Sequence, residues 1–272
     1  MTPKIAVRGL TKIFPLGRGE FTALRGVDLD IADGEFVTLV GPSGCGKSTL
    51  MNIVAGLETP TAGSVLVDGR PVDGPSPERG VIFQQYALFP WLTVRKNVEF
   101  GLRVSGLPAE ERRQRAQHFI DLVGLTTHAD QLPKALSGGM KQRTALARAY
   151  AVNPQLLLMD EPFGALDALT RVNLQDRLLR TWQEERRTIL FVTHDVEEAV
   201  YLASRVVVMA ARPGRIFEVI DVDLPPGRTE ETRLSPEFAA IKNRVWRAVY
   251  HQPNALTDTA DGTADPVETL SH

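Results

Sequence analysis

The chain has 272 residues, 43% hydrophobic and 24% charged, an ordinary soluble balance with enough length for a large core and inserted subdomains. Lysine and arginine number 31 against 33 aspartate and glutamate, and the formal net charge of -2 argues against nucleic acid as a partner. Its single cysteine, Cys45, excludes an intramolecular disulfide and a thiolate metal cluster; no run of about 18 apolar residues occurs, and Met1 to Arg8 lacks a signal peptide's apolar centre, so any membrane link is expected to run through a partner.

Ile5 to Leu10 and Phe21 to Ile31 alternate apolar and polar residues with Gly and Asp punctuation, which predicts antiparallel strands with Phe14 in the turn between them. An aromatic there either stacks on a nucleotide base or caps a core edge. The apolar run Phe36 to Val40 reads as a buried strand, and Leu50 to Leu57 as a helix with a glycine stop. Between them lies Gly41-Pro42-Ser43-Gly44-Cys45-Gly46-Lys47-Ser48-Thr49, in the strand, G-x-x-x-x-G-K-[ST], helix context of a phosphate cradle. Its glycines let successive N–H groups turn inward, the helix N-terminus adds partial positive charge, and Lys47 is expected to reach the outer phosphates. Ser48 is then placed for Mg²⁺, and Cys45 reads as a small loop filler.

Gly63 to Gly69 predicts a short strand ending in an Asp-Gly turn, Pro71 to Pro77 a loop, and Val81 to Phe83 a buried strand with Gln84 at its end. From Trp91 to about Ala151 helices replace strands: Val94 to Leu102, Ala109 to Val123 with a solvated charged face, and Met140 to Ala151. Asn153-Pro154 ends the last of these. Leu156 to Met159 follows as a buried strand closed by Asp160-Glu161-Pro162. Two carboxylates at the end of a buried strand either cap a turn or serve a phosphate site, the first holding Mg²⁺ and the second deprotonating water; beside Lys47 and Ser48 the phosphate site is the stronger reading.

Val172 to Glu185 predicts an amphipathic helix, and Thr188 to Val192 a buried strand with Thr193-His194-Asp195 at its end before a helix Val196 to Ala203. Functional groups of α/β folds gather outside the carboxyl ends of strands, and with Gln84 and Asp160-Glu161 at two other strand ends, His194 reads as a γ-phosphate contact. Val206 to Met209 and Ile216 to Ile220 read as a closing hairpin. Beyond Pro225 the pattern predicts one helix from about Pro236 to Tyr250, then a polar, disordered tail from Gln252 to His272.

Over about residues 4–225 these features resemble the nucleotide-binding subunit of an ATP-binding cassette (ABC) transporter. Gly41 to Ser48 is similar to its Walker A loop, Gln84 to its Q-loop glutamine, Leu136-Ser137-Gly138-Gly139-Met140 to its signature loop, and Leu156 to Glu161 to its Walker B. Ala165-Leu166-Asp167 resembles its D-loop and His194 its switch histidine, while Phe14 takes the base-stacking position by order and spacing. Met140, together with Gly74-Pro75, Arg79 to Gln84, Leu88 to Val94 and Ser235 to Phe238, looks most like the nitrate/sulfonate/taurine import branch. No Asn-Lys-x-Asp guanine reader is present.

The resemblance implies an α/β P-loop NTPase fold: a RecA-like core with an N-terminal antiparallel β subdomain and an inserted α-helical subdomain. The ATPase domain would span 1–228, with the insertion at about 91–151 and a C-terminal extension over 229–272. Implied ligands are ATP, on Phe14, Gly41 to Thr49, Ser137, Gly138, Gly139 and Asp167, and Mg²⁺, on Ser48, Gln84 and Asp160. Glu161, His194, Gln84 and Lys47 would carry catalysis. Implied partners are a second copy in a head-to-tail ATP sandwich, integral membrane permease subunits and, indirectly, an extracytoplasmic solute-binding protein, with the chain peripheral on the cytoplasmic face of the inner membrane. A soluble ABC ATPase in a non-transport complex shares every catalytic motif and stays open.

Overall fold

The computed structural model describes residues 2–17, 19–225 and 227–252. The chain opens with β1 (Ile5–Leu16) and β2 (Gly19–Ile31), followed by β3 (Phe36–Val40), α1 (Lys47–Ala55), β4 (Ala62–Val67), β5 (Arg70–Pro71) and β6 (Arg79–Ile82). Three helices come next, α2 (Val94–Val104), α3 (Ala109–Leu122) and α4 (Gly138–Val152), where the sequence exchanges strand for helix patterning. The second half runs β7 (Leu156–Asp160), α5 (Ala168–Glu185), β8 (Thr188–Val192), α6 (Val196–Leu202), β9 (Arg205–Ala210), β10 (Arg215–Asp221), α7 (Glu230–Leu234) and α8 (Pro236–Tyr250).

A six-stranded sheet in the order β10-β9-β3-β8-β7-β6 forms the centre, parallel except for β10. Every residue of β3, β7 and β8 is buried, because helices or a second sheet cover both faces. Alternation along each strand divides the core in two. Val37, Leu39, Leu158, Leu190 and Val207 face α1 and the antiparallel sheet β2-β1-β4-β5, whereas Phe36, Val40, Met159, Phe191 and Val208 face the remaining helices. Truncating a fully buried member such as Leu190 to Ala would cost roughly 2–5 kcal/mol.

The register aligns the functional strand ends. Ile82 pairs with Met159, Met159 with Phe191, and Leu39 with Val192, so the residues following β3, β6, β7 and β8 emerge at one edge of the sheet. The segment after Gln84 is pinned from below by Asn97, which is fully buried. Its amide donates to the carbonyls of Phe89, Leu92 and Thr93 at 3.2, 2.9 and 3.0 Å, and its Oδ1 accepts from Phe89 N at 2.9 Å.

Besides β6, which is half-buried except at Ile82 and ends before Phe83, and α5, which starts at Ala168 rather than Val172, two elements depart from the sequence expectation. Phe14 lies inside β1, paired with Phe21, rather than in a turn, because β1 continues through several register shifts to Leu16. The short helix α7 precedes the expected α8, and none of its residues is buried, which leaves no apolar periodicity to read. Of the polar tail expected from Gln252 to His272, all but Gln252 lies outside the described residues.

Candidate functional site

The cradle is built by backbone that only glycine tolerates. Gly41 and Gly46 have φ of 154° and 91°; a Cβ on the first would lie 2.5 Å from the Met209 carbonyl oxygen, and on the second 2.5 Å from Leu24 Cδ2. Cys45 is fully buried beneath the loop and burial pushes its thiol pKa up, so it fills space as expected. Ser43, Gly44 and Ser48 are exposed along the rim, with Pro42, Gly46 and Thr49 half-buried.

Lys47 is only 8% exposed, yet no carboxylate forms an ion pair with it among the described residues. Its Nζ donates instead to the carbonyls of Gly41 and Pro42 at 2.8 and 3.1 Å. A buried ammonium satisfied only by neutral groups, these two carbonyls and the Cys45 sulfur, makes an anion the favourable ligand for this pocket.

Asp160, at the end of β7, is also 8% exposed, with the Ser48 hydroxyl near its carboxylate. Burial pushes its pKa up, the neighbouring Glu161 charge adds to this, and Lys47 opposes it. Glu161 then leaves the strand in the left-handed region at φ 46°, a conformation that costs a non-glycine residue about 1–2 kcal/mol. The surrounding backbone holds it there: its N–H donates to Val192 O at 2.9 Å, and its carbonyl accepts from Gly164 N at 3.1 Å and Gln142 Nε2 at 3.3 Å.

This turn aims the Glu161 carboxylate between two other strand ends. Gln84 Nε2 donates to Oε2 at 3.1 Å, and His194 Nδ1 stands 3.1 Å from Oε1. Beside them a cleft of about 50 Å³ is lined by Glu161, Gly164, Arg171, Thr193, His194 and Glu198. Gln84, Asp160, Glu161 and His194 therefore converge as the sequence expects, with Gln84 on the carboxylate of Glu161.

Elsewhere, Ser137 caps α4, its Oγ accepting from Met140 N at 3.3 Å, and Ser137 and Gly138 are exposed with Gly139 half-buried. None of the three hydrogen-bonds to Gly41–Thr49 among the described residues, so one chain carries the cradle and the signature loop as separate surfaces. The Asp167 carboxylate caps α5 through Thr170 N at 3.0 Å, and that bond lowers its pKa. Phe14 is half-buried with Lys12 Nζ 4.7 Å from its ring centroid.

Sequence reasoning missed Gln142, Gln175 and Glu198, which are 1%, 3% and 6% exposed. The readable signal is a polar residue on a helix face that is otherwise apolar, as with Gln175 among Leu174, Leu178 and Leu179.

Comparison with known proteins agrees with this geometry. The family model for "ABC transporter" matches residues 24–164. A protein of Brucella abortus (strain 2308), whose name goes no further than ATP binding, is 68% identical over 252 residues, 93% of this chain and 95% of its own. The nitrate import ATP-binding protein NrtD of Synechocystis sp. (strain PCC 6803) is 48% identical over 247 residues, 89% of this chain and 93% of its own. Among solved structures, the ATP-binding cassette MJ0796, dimeric in a post-hydrolysis state with ADP and Pi, superposes with a TM-score of 0.76 at 34% identity, covering 81% of this chain and all of that one. This chain belongs to the ABC transporter family of ATP-binding cassettes and is an ATPase of the P-loop class.

Proposed function

We propose that this chain is the ATP-hydrolysing subunit of an importer, energising uptake of a small solute of the nitrate, sulfonate or taurine kind through a separate integral membrane permease. The observation that carries the catalytic part is the Glu161 carboxylate held between Gln84 and His194, at 3.1 Å from each. The importer part is supported by the 48% identity to a nitrate import ATP-binding protein.

In this reading the amides of Gly41 to Thr49 cradle the ATP phosphates, Lys47 exchanges its loop carbonyls for the outer phosphates, and Phe14 stacks on the base. The hydroxyl of Ser48, the carboxylate of Asp160 and the amide oxygen of Gln84 are hard oxygen donors suited to Mg²⁺, and the desolvated Asp160 carboxylate is the type of group that gains from a cation. Bound there, Mg²⁺ would supply neutralisation of charge on the transferring phosphoryl group. Glu161 takes the proton of the attacking water at a carboxylate oxygen, water adds to the γ-phosphorus in line, and ADP leaves through its terminal oxygen. His194 holds the γ-phosphate.

The exposed Ser137 and Gly138, with Gly139, form an anion site at the N-terminus of α4 without a phosphate cradle beside it, which favours a head-to-tail dimer in which they complete the partner copy's site. Asp167 would face the same junction. The proposed division is an ATPase domain over 1–228 with a helical insertion near 91–151 and an extension over 229–272. The chain would sit peripherally on the cytoplasmic face of the membrane, with an extracytoplasmic binding protein delivering solute to the permease. No helix among the described residues is long and apolar enough to cross a membrane.

The docking surface for the permease is the aromatic stretch after Gln84, where Trp91 is 72% exposed beside Phe89, which in turn packs on Phe100. Trp91→Ala and Leu88→Ala test it. Pull-down of the permease should fail while ATPase activity of the free subunit survives; full permease capture and normal transport would overturn this docking site.

A further inference from the structure

Residues 228–242 converge on α6, the helix that follows the His194 loop. Arg228 Nη1 donates to the carbonyls of Val200, Tyr201 and Ala203 at 3.3, 2.7 and 2.8 Å, satisfying the end of α6 that no helical N–H reaches. Arg233, on α7, lies 3.4 Å from the ring centroid of the fully buried Tyr201, and its Nη1 is 3.7 Å from Glu197 Oε1. Lys242, on α8, is 3.5 Å from Glu197 Oε2.

One branch of this cluster runs inward to the catalytic cleft. Arg233 Nη2 donates to Gln175 Oε1 at 2.8 Å, Gln175 Nε2 donates to Glu198 Oε1 at 2.9 Å, and Glu198 and Thr193 line the same cleft. Thr193 precedes His194, and its Oγ1 accepts from Asp195 N at 3.0 Å. Glu198 lines the cleft that Glu161 and His194 share.

Donor and acceptor roles give this path a direction. A guanidinium has no acceptor, so Arg233 takes the oxygen of the Gln175 amide and turns its NH₂ toward Glu198. With Arg233 gone, the buried Gln175 oxygen loses its charged partner, and the amide that holds Glu198 is no longer fixed in place.

We propose that residues 228–250 clamp the switch loop, with Arg233 a positioning residue that sets His194 through Gln175, Glu198 and Thr193. The proposal rests on the reading of His194 as the γ-phosphate contact. The test uses the full chain and reads two quantities, ATPase kinetics and the NMR resonance of the His194 imidazole, with His118 and His128 as internal references. For Arg233→Leu we expect kcat to fall about tenfold with KM for ATP within about twofold, as misplacement of a catalytic group gives, and the His194 resonance to shift while the reference histidines stay. Arg233→Lys, still a donor to Gln175, should keep kcat within about threefold. If Arg233→Leu does not fold, Gln175→Met breaks the same path with a side chain of similar length and should give the same pair of changes.

Normal kcat with an unmoved His194 resonance in a folded variant would overturn the clamp. So would a fall in kcat with His194 unmoved, which is the signature of a general packing loss. His194→Ala, assayed alongside, separates the two claims: full activity there would overturn the role of His194, while the resonance shift still reads the clamp.

Discussion

His194 Nδ1 stands 3.1 Å from Glu161 Oε1, and the other oxygen of that carboxylate accepts from Gln84 Nε2 at the same distance. Three strand ends far apart in sequence thus meet on one carboxylate, which is aimed because each oxygen has a partner. Glu161→Gln keeps the shape of the side chain and removes its basicity. It should hydrolyse ATP at least about 10²-fold more slowly while binding ATP as tightly as the parent, measured by turnover and by nucleotide titration. Normal turnover would assign the base elsewhere.

Lys47→Ala removes the buried cation that only neutral groups of the loop satisfy. Turnover should fall by roughly 10²-fold or more and the affinity for ATP should drop with it, since charge on the outer phosphates loses its one mobile counter-ion. Affinity and rate near the parent values would show that the loop amides suffice.

Asp160 carries a pH dependence whose sign is set by burial. The folded chain holds this carboxyl above its usual 3.8, so folding penalises the ionised form. That penalty is present above the folded pKa and fades as pH falls below the unfolded value. Asp160→Asn should therefore raise the Tm of the nucleotide-free chain near neutral pH, and the advantage should shrink toward about pH 4, while hydrolysis is lost. A Tm that falls at neutral pH would show that the polar surroundings of Asp160 outweigh its desolvation.

Met140 and Ser137 share one helix N-terminus and should respond differently. Ser137 Oγ caps α4, whereas Met140 contributes its main-chain N–H to that cap and packs its side chain against the core. Met140→Gln should leave ATPase activity within about threefold, because the donors that meet an anion are main-chain groups. Ser137→Arg, which places bulk and charge on that surface, should abolish it. Equal losses in steady-state rate would assign the contact to the side chain at 140.

The parts of this site legible in the sequence are those that local pattern dictates. The glycine spacing of 41–46 demands backbone that other residues resist, and the short apolar runs of β3, β7 and β8 are long enough only for buried strands. What was not legible depends on distant pairing. The length of β1, and so the place of Phe14, follows from its pairing with β2 through register shifts. Gln84 meets Glu161 across 77 positions and Arg233 meets Gln175 across 58, contacts that no periodicity encodes. Asp167 is a further case: the sequence pattern starts the helix at Val172, whereas α5 begins at Ala168, capped by the Asp167 carboxylate.

The most direct test of the account concerns the cradle and the Ser137 loop, the two proposed anion surfaces that one chain keeps apart. Sedimentation of Glu161→Gln with ATP should show a dimer, and the same variant carrying Ser137→Arg should remain a monomer under identical conditions. A dimer that forms equally well with Ser137→Arg, or a monomer in both cases, would contradict a site shared between two copies.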